Sequence, residues 1–102
     1  MISQSDKKRF RAIAHKLHPV VTVAGNGLSD PVMAELARAL EDHELIKVKV
    51  VADRDERKAL IAEMCEKSGA ELVQTIGGIA VVYRPAAKPD RSKSNVLRTD
   101  IL

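Results

Sequence analysis

The sequence predicts a single α/β domain: a two-layer sandwich in the order α-β-α-β-α-β-β, built on a four-stranded mixed sheet. Three observations carry that expectation. Apolar residues recur at helical spacing in three segments. Between the segments stand β-branched or alternating runs of strand length. The last two runs are joined by Gly77-Gly78 alone, a hairpin signal that makes the sheet mixed. Successive β-α-β links favour right-handed crossovers, which would set the three helices on one face of the sheet. The other face, carrying Lys47 and Lys49, would then be open. The chain's 102 residues suit one domain and are too few for two good cores.

The elements follow in order. Phe10, Ile13, Ala14 and Leu17 form the apolar stripe of the first helix, with Ser5 as its expected N-cap and Pro19 as its stop. Beside that stripe, Lys8, Arg11, His15 and His18 fall within roughly a quarter-turn, and Arg9 and Lys16 occupy the opposite flank. The polar side of the helix is therefore almost wholly basic, with no acid at i±4 to neutralise it. Val20-Val21-Thr22-Val23 is a β-branched strand, broken by Ala24-Gly25-Asn26-Gly27. Asp30 followed by Pro31 starts the second helix, which buries Val32, Leu36, Ala39 and Leu40 and fades near His43.

Residues 45–51 alternate, with Ile46, Val48 and Val50 facing one way and Lys47 and Lys49 the other. Asp53 or Asp55 caps a third helix with Leu60, Ile61, Met64 and Cys65 inside, and Gly69 stops it. Residues 72–76 and 79–83 are the hairpin strands. Pro85 ends the order, so the domain is expected over 1–85. Residues 86–102, rich in proline, lysine and serine, are expected to form a flexible basic tail.

Composition then removes whole classes of function. One Phe, one Tyr and no Trp argue against stacked-ring platforms such as the RNA-recognition motif and the cold-shock barrel, and against aromatic cages. One cysteine excludes an intrachain disulfide and a cysteine-based zinc site, and suits a reducing cytoplasm. No apolar run nears the ~18–20 residues of a membrane span, and the N-terminus lacks the pattern of a secretory signal. A cytoplasmic protein is expected.

The net charge of +3 averages unlike segments. Residues 1–25 hold Lys7, Lys8, Arg9, Arg11 and Lys16 against Asp6, a balance of +4. Residues 26–46 hold Arg38 against Asp30, Glu35, Glu41, Asp42 and Glu44, a balance of −4. The last 18 residues carry +2. Such polarity can steer a polyanion onto one face.

The loop 24–27, between a strand and a helix start, is the best candidate site. Glycines let backbone N–H groups approach a phosphodiester chain, as in the GXXG loop of KH domains. A strand-to-helix turn can also need glycine for its angles alone, so the loop by itself does not establish a site. No Gly-Lys-Ser/Thr follows, which excludes a P-loop. His15 and His18 lack a carboxylate or cysteine partner for a metal. Cys65 reads as inert core, and Asp53, Asp55 and Glu56 as capping residues. No catalytic residue, cofactor, metal or small-molecule substrate is indicated.

Several strings together carry a resemblance. His15-Lys16-Leu17-His18-Pro19-Val20-Val21, Gly25-Asn26-Gly27-Leu28, His43-Glu44-Leu45-Ile46-Lys47-Val48-Lys49-Val50, Gln74-Thr75-Ile76-Gly77 and Val82-Tyr83-Arg84-Pro85 resemble the CRM-domain family in its bacterial single-domain, YhbY-like form. The match runs from about residue 3 to residue 85.

The resemblance implies a fold similar to the C-terminal domain of translation initiation factor three. It also implies an RNA-binding module that associates with precursors of the large ribosomal subunit. Plant organellar relatives with the same domain act in group II intron splicing. The family's GxxG loop has Ala24 at its first glycine here, and Gly25 is the candidate to take over the special backbone angles. The expected RNA-binding set is Lys8, Arg11, His15, Lys16, Gly25, Asn26, Gly27, Lys47, Lys49 and Arg84. The expected protein is a monomer. The alternative is a protein-interaction module that docks through Glu41, Asp42 and Glu44, with incidental RNA contact.

Overall fold

The computed structural model describes residues 2–25 and 27–99. The seven expected elements are present in the expected order: α1 (Gln4–Ala14), β1 (Pro19–Val23), α2 (Asp30–His43), β2 (Leu45–Val50), α3 (Arg54–Ser68), β3 (Glu71–Ile76) and β4 (Ile79–Tyr83). An eighth, α4 (Asn95–Thr99), follows them. Two caps differ from expectation. Ser3 rather than Ser5 caps α1, accepting the Asp6 N–H at 3.0 Å, and Ser29 rather than Asp30 caps α2, accepting the Val32 N–H at 3.4 Å. Both serines keep extended backbone just outside the helix, which is what lets the side chain turn back to the free N–H groups. Of the two candidate caps for α3, Asp53 takes the role and Asp55 lies inside the first turn, and Gly69 closes the helix in the left-handed conformation.

The strand order is β1-β2-β4-β3, with β1 parallel to β2 and β4 antiparallel to both of its neighbours. On one face, Val21, Val23, Ile46, Val48, Val50, Ala80 and Val82 pack against Leu36 and Leu40 of α2 and Ile61 and Met64 of α3. These make the larger core, between the sheet and the α2–α3 layer.

The alternate strand residues Leu45, Val73, Val81 and Tyr83 point the other way and meet Phe10, Ile13 and Ala14 of α1 and Val96 of α4. The expectation that all three long helices share a face is therefore corrected: α1 lies on the Lys47 and Lys49 side. Helical periodicity shows that α1 has an apolar stripe, but not which layer receives it. With α2 and α3 filling one face, the opposite side of β2, β4 and β3 offers the remaining apolar floor.

Residues 86–99 were expected to form a flexible tail. In this structure they lie against the domain, with Ala86, Ser94, Asn95 and Val96 buried. The buried carboxylate of Glu44 is the fastening point. It accepts the Ser94 hydroxyl at 2.6 Å and the Ala86 N–H at 2.8 Å. The Asn95 side-chain amide donates to Leu45 O at 2.8 Å. Glu41 accepts the N–H groups of Ala87 and Lys88 at 3.0 and 3.1 Å, which hold its carboxyl below the usual value. Backbone amides and one serine make most of these bonds, so composition carried no signal of them. Residues 100–102 of the expected tail lie outside the described residues.

Candidate nucleic-acid interface

The face that α1 shares with β2 is only partly covered. Leu45, Lys47 and Lys49 alternate onto it, with Leu45 buried beneath the helix, Lys47 half-buried at its margin, and Lys49 exposed beyond it. Lys49 lies between Thr22 of β1 and Ile79 of β4 in register, and Thr22 is exposed on the same side. Exposure thus rises along one strand.

Helix α1 starts beside Glu71, whose carboxylate accepts the Ile2 N–H at 3.1 Å. That bond holds the Glu71 carboxyl below the usual value. The last turns of the helix lie over the other end of β3, bringing Arg11 and His15 to Lys47, Gln74 and Ile76. Together they line a hollow of about 330 Å³. None of the described residues lining it is a carboxylate. An anion entering it meets two permanent cations and an imidazole without competition.

The sequence had picked out Arg11, His15 and Lys47 but not the floor residues Gln74 and Ile76. A β-bulge between Leu72 and Gln74 turns both Val73 and Gln74 to the α1 side, which plain alternation does not foresee. The two-residue spacing of Gln74 and Ile76 was the available signal that they share a face.

The loop after β1 lies at the same end of the sheet. Val51 N donates to Val23 O at 2.8 Å and Val50 N to Gly78 O at 2.8 Å, so the β1–α2 loop, the β2–α3 connection and the hairpin turn are gathered there. Gly27 N donates to Ala24 O at 2.7 Å and closes the turn. Gly27 has φ +61, the left-handed region that favours glycine. Gly25 lies outside that region, so it does not take over the special angles. Gly27 holds them, and Ala24 supplies the turn's carbonyl, a role open to any residue. A Cβ added at Gly25 would meet nothing within 4 Å, which leaves its backbone open to a ligand. Asn26 lies outside the described residues.

Lys8 is exposed on α1, one turn before Arg11 on the same side. Lys16 is exposed past the helix end, where its N–H bonds to Ile13 O, and it does not line the hollow. Arg84 does not face the same way as Lys47 and Lys49. It follows Tyr83 at the far end of β4, and its guanidinium donates to Ser68 O at 3.0 Å and Ala37 O at 3.3 Å. Strand alternation sends it to the α2–α3 side, where its fork satisfies helix carbonyls rather than extending the basic face.

The remaining candidates fall as follows. His18 is exposed, and His43 directs Nδ1 to Lys93 O at 2.9 Å. Cys65 is half-buried, and burial pushes its thiol up. Among the described residues no three of His, Cys, Asp and Glu gather as metal ligands, and no helix is long and apolar enough to cross a membrane.

Fold and surface together define a small α/β domain with one basic, glycine-looped end. Residues 2–84 match the CRS1 / YhbY (CRM) domain family, and the chain belongs to that family. It is 53% identical over 98 residues to "Probable RNA-binding protein PA4753" of Pseudomonas aeruginosa, covering 95% of this chain and 94% of that one. It is 46% identical over 86 residues to a Haemophilus influenzae protein named "RNA-binding protein", covering 83% and 87%. The solution structure of SAV1595 from Staphylococcus aureus superposes with a TM-score of 0.75 at 31% identity, over 86% of this chain and 93% of that one. The two named relatives are described as RNA-binding proteins and not as enzymes.

Proposed function

We propose that this protein binds structured RNA in precursors of the large ribosomal subunit and assists their assembly. It acts in the cytoplasm as a monomer without catalysis. The observation that carries the RNA reading is the convergence of Arg11, His15 and Lys47 in one carboxylate-free hollow, with Lys49 exposed beside it. The relatives' names support it. The loop from Ala24 to Gly27 lies against the phosphate backbone, and α1 supplies the flanking cations. With almost no aromatic rings, binding tolerates sequence and reads backbone and shape.

Titrating Lys8→Ala with Arg11→Ala against ribosomal RNA over a salt series tests this. Each phosphate contact contributes about 0.9 to a duplex salt slope and roughly 0.7 on a single strand. The double variant should weaken binding to all RNAs alike and flatten the slope. An unchanged affinity would remove α1 from the interface. Co-sedimentation with large-subunit precursors tests the assembly role, and its absence alongside naked-RNA binding would end that part of the reading. Docking through the acidic segment has less support, because the Glu41 and Glu44 carboxylates already hold residues 86–88 and 94.

A further inference from the structure

A second hollow lies on the other side of β3. Strand β3 is an edge, and α3 packs Ile61 and Met64 toward the centre of the sheet, leaving the outer side of β3 uncovered. Between α3 and β3 this opens a space of about 510 Å³, within the range of small-ligand sites. Ala62, Cys65 and Leu72 contribute an apolar floor, and Leu72 is 40% exposed. Arg54, Arg57 and Lys58 form the rim, against one acid, Asp55. Arg57 is steadied by a bond from Nη1 to Ala52 O at 3.3 Å, which leaves its other donors for an anion.

The two hollows stand back to back across one strand. Gln74 and Ile76 line the first, while Leu72, Thr75 and Gly77 line the second. A chain lying on the first therefore has only the hairpin end of β3 to cross. An apolar floor under a cationic rim suits a weakly polar group tethered to an anion, and a base with its phosphate is such a group. A bare phosphate would leave the floor unused, and an apolar peptide would leave three cations unanswered.

We propose that the α3–β3 hollow seats an unpaired nucleotide of the bound RNA. Its base lies on Ala62, Cys65 and Leu72, and its phosphate on Arg54, Arg57 and Lys58. This rests on the RNA-binding reading and adds a preference to it: RNA with an exposed base binds better than perfect duplex.

Cys65 is the single thiol of the chain and lines the hollow, so its alkylation by N-ethylmaleimide reports occupancy. Saturating single-stranded oligoadenylate should slow that reaction about tenfold, the protection expected where a base fills the hollow about nine-tenths of the time, and perfect duplex RNA should leave it unchanged. Ala62→Leu fills the floor without supplying a stacking ring and keeps every cation. It should lower single-strand affinity about tenfold and leave duplex affinity within about twofold, which also shows that the variant is folded.

Single-strand binding that neither protects Cys65 nor responds to Ala62→Leu would overturn the proposal and leave the RNA-binding reading standing. Failure of the unsubstituted protein to bind either RNA would end both. Protection of Cys65 by raised protein concentration alone would place a second copy in the hollow and overturn the nucleotide assignment.

Discussion

The two ends of the sheet use the same kinds of charged residue in opposite ways. At the end where β2 begins and β4 finishes, Glu44 accepts bonds from Ser94 and Ala86, and Arg84 donates to Ser68 and Ala37. The two residues are themselves joined by Arg84 N donating to Glu44 O at 2.9 Å. At the opposite end, Arg11, His15 and Lys47 converge in one hollow, with Lys49 exposed beside them. The lesson is that a cation's type does not announce its use. Arg84 lies within reach of backbone carbonyls and is consumed by them, whereas Arg11 faces a space lined by other cations.

The largest expected effect that would break this contrast is at Glu44. Glu44→Ala removes a buried acceptor from the Ser94 hydroxyl and the Ala86 amide, and should cost about 3 kcal/mol in urea denaturation. Glu44→Gly loses the same bonds but relieves the left-handed backbone at φ 62, so it should be less damaging by about 1 kcal/mol. Equal losses would remove backbone strain from the account.

Arg84→Ala comes next. It should destabilise by about 1–2 kcal/mol through loss of the bond to Ser68 O and of the longer one to Ala37 O, which keeps its helical donor, and leave RNA affinity unchanged. A loss of RNA affinity at full stability would return Arg84 to the binding face.

Arg11→Ala with Lys47→Ala should show the mirror image. RNA affinity should fall about tenfold with a flatter salt slope, and folding stability should stay within about 0.5 kcal/mol. A stability loss matching that of Arg84→Ala would erase the difference between the two ends.

The smallest effect is acid release of residues 87 and 88. The Glu41 carboxyl is held below its ordinary value of 4.5 by the N–H groups of Ala87 and Lys88. A depressed carboxylate contributes its full stabilisation above the unfolded value. That contribution is lost as the pH falls through the folded-state value. Exchange protection of those two amides should fade over that interval, before the rest of the domain unfolds. Protection that survives until global acid unfolding would show that the contact adds nothing of its own.

Much of the fold was legible because its signals are local. The Val20 to Val23 run, the alternation of 46, 48 and 50 against 47 and 49, and the Gly77-Gly78 link each report a conformation that neighbouring residues dictate. The candidate site was legible in part. Arg11, His15 and Lys47 were identifiable as cations, but their meeting with Gln74 and Ile76 depends on a bulge in β3. The Gly27 angle illustrates the limit. A glycine-rich loop was evident, while the residue that takes the left-handed turn follows from the bond between Gly27 N and Ala24 O.

By itself, the sequence determined the order of the seven main elements, the hairpin, the stop of α3 at Gly69, and the separation of basic from acidic segments. Tertiary structure alone decided which face α1 covers, where residues 86–99 lie, and which cations are left for a ligand. The reason is distance along the chain. Periodicity and turn chemistry act over a few residues, whereas Glu44 reaches partners 42 and 50 positions away. A helix's apolar stripe settles on whatever surface the other elements leave uncovered, and no local pattern encodes what they leave.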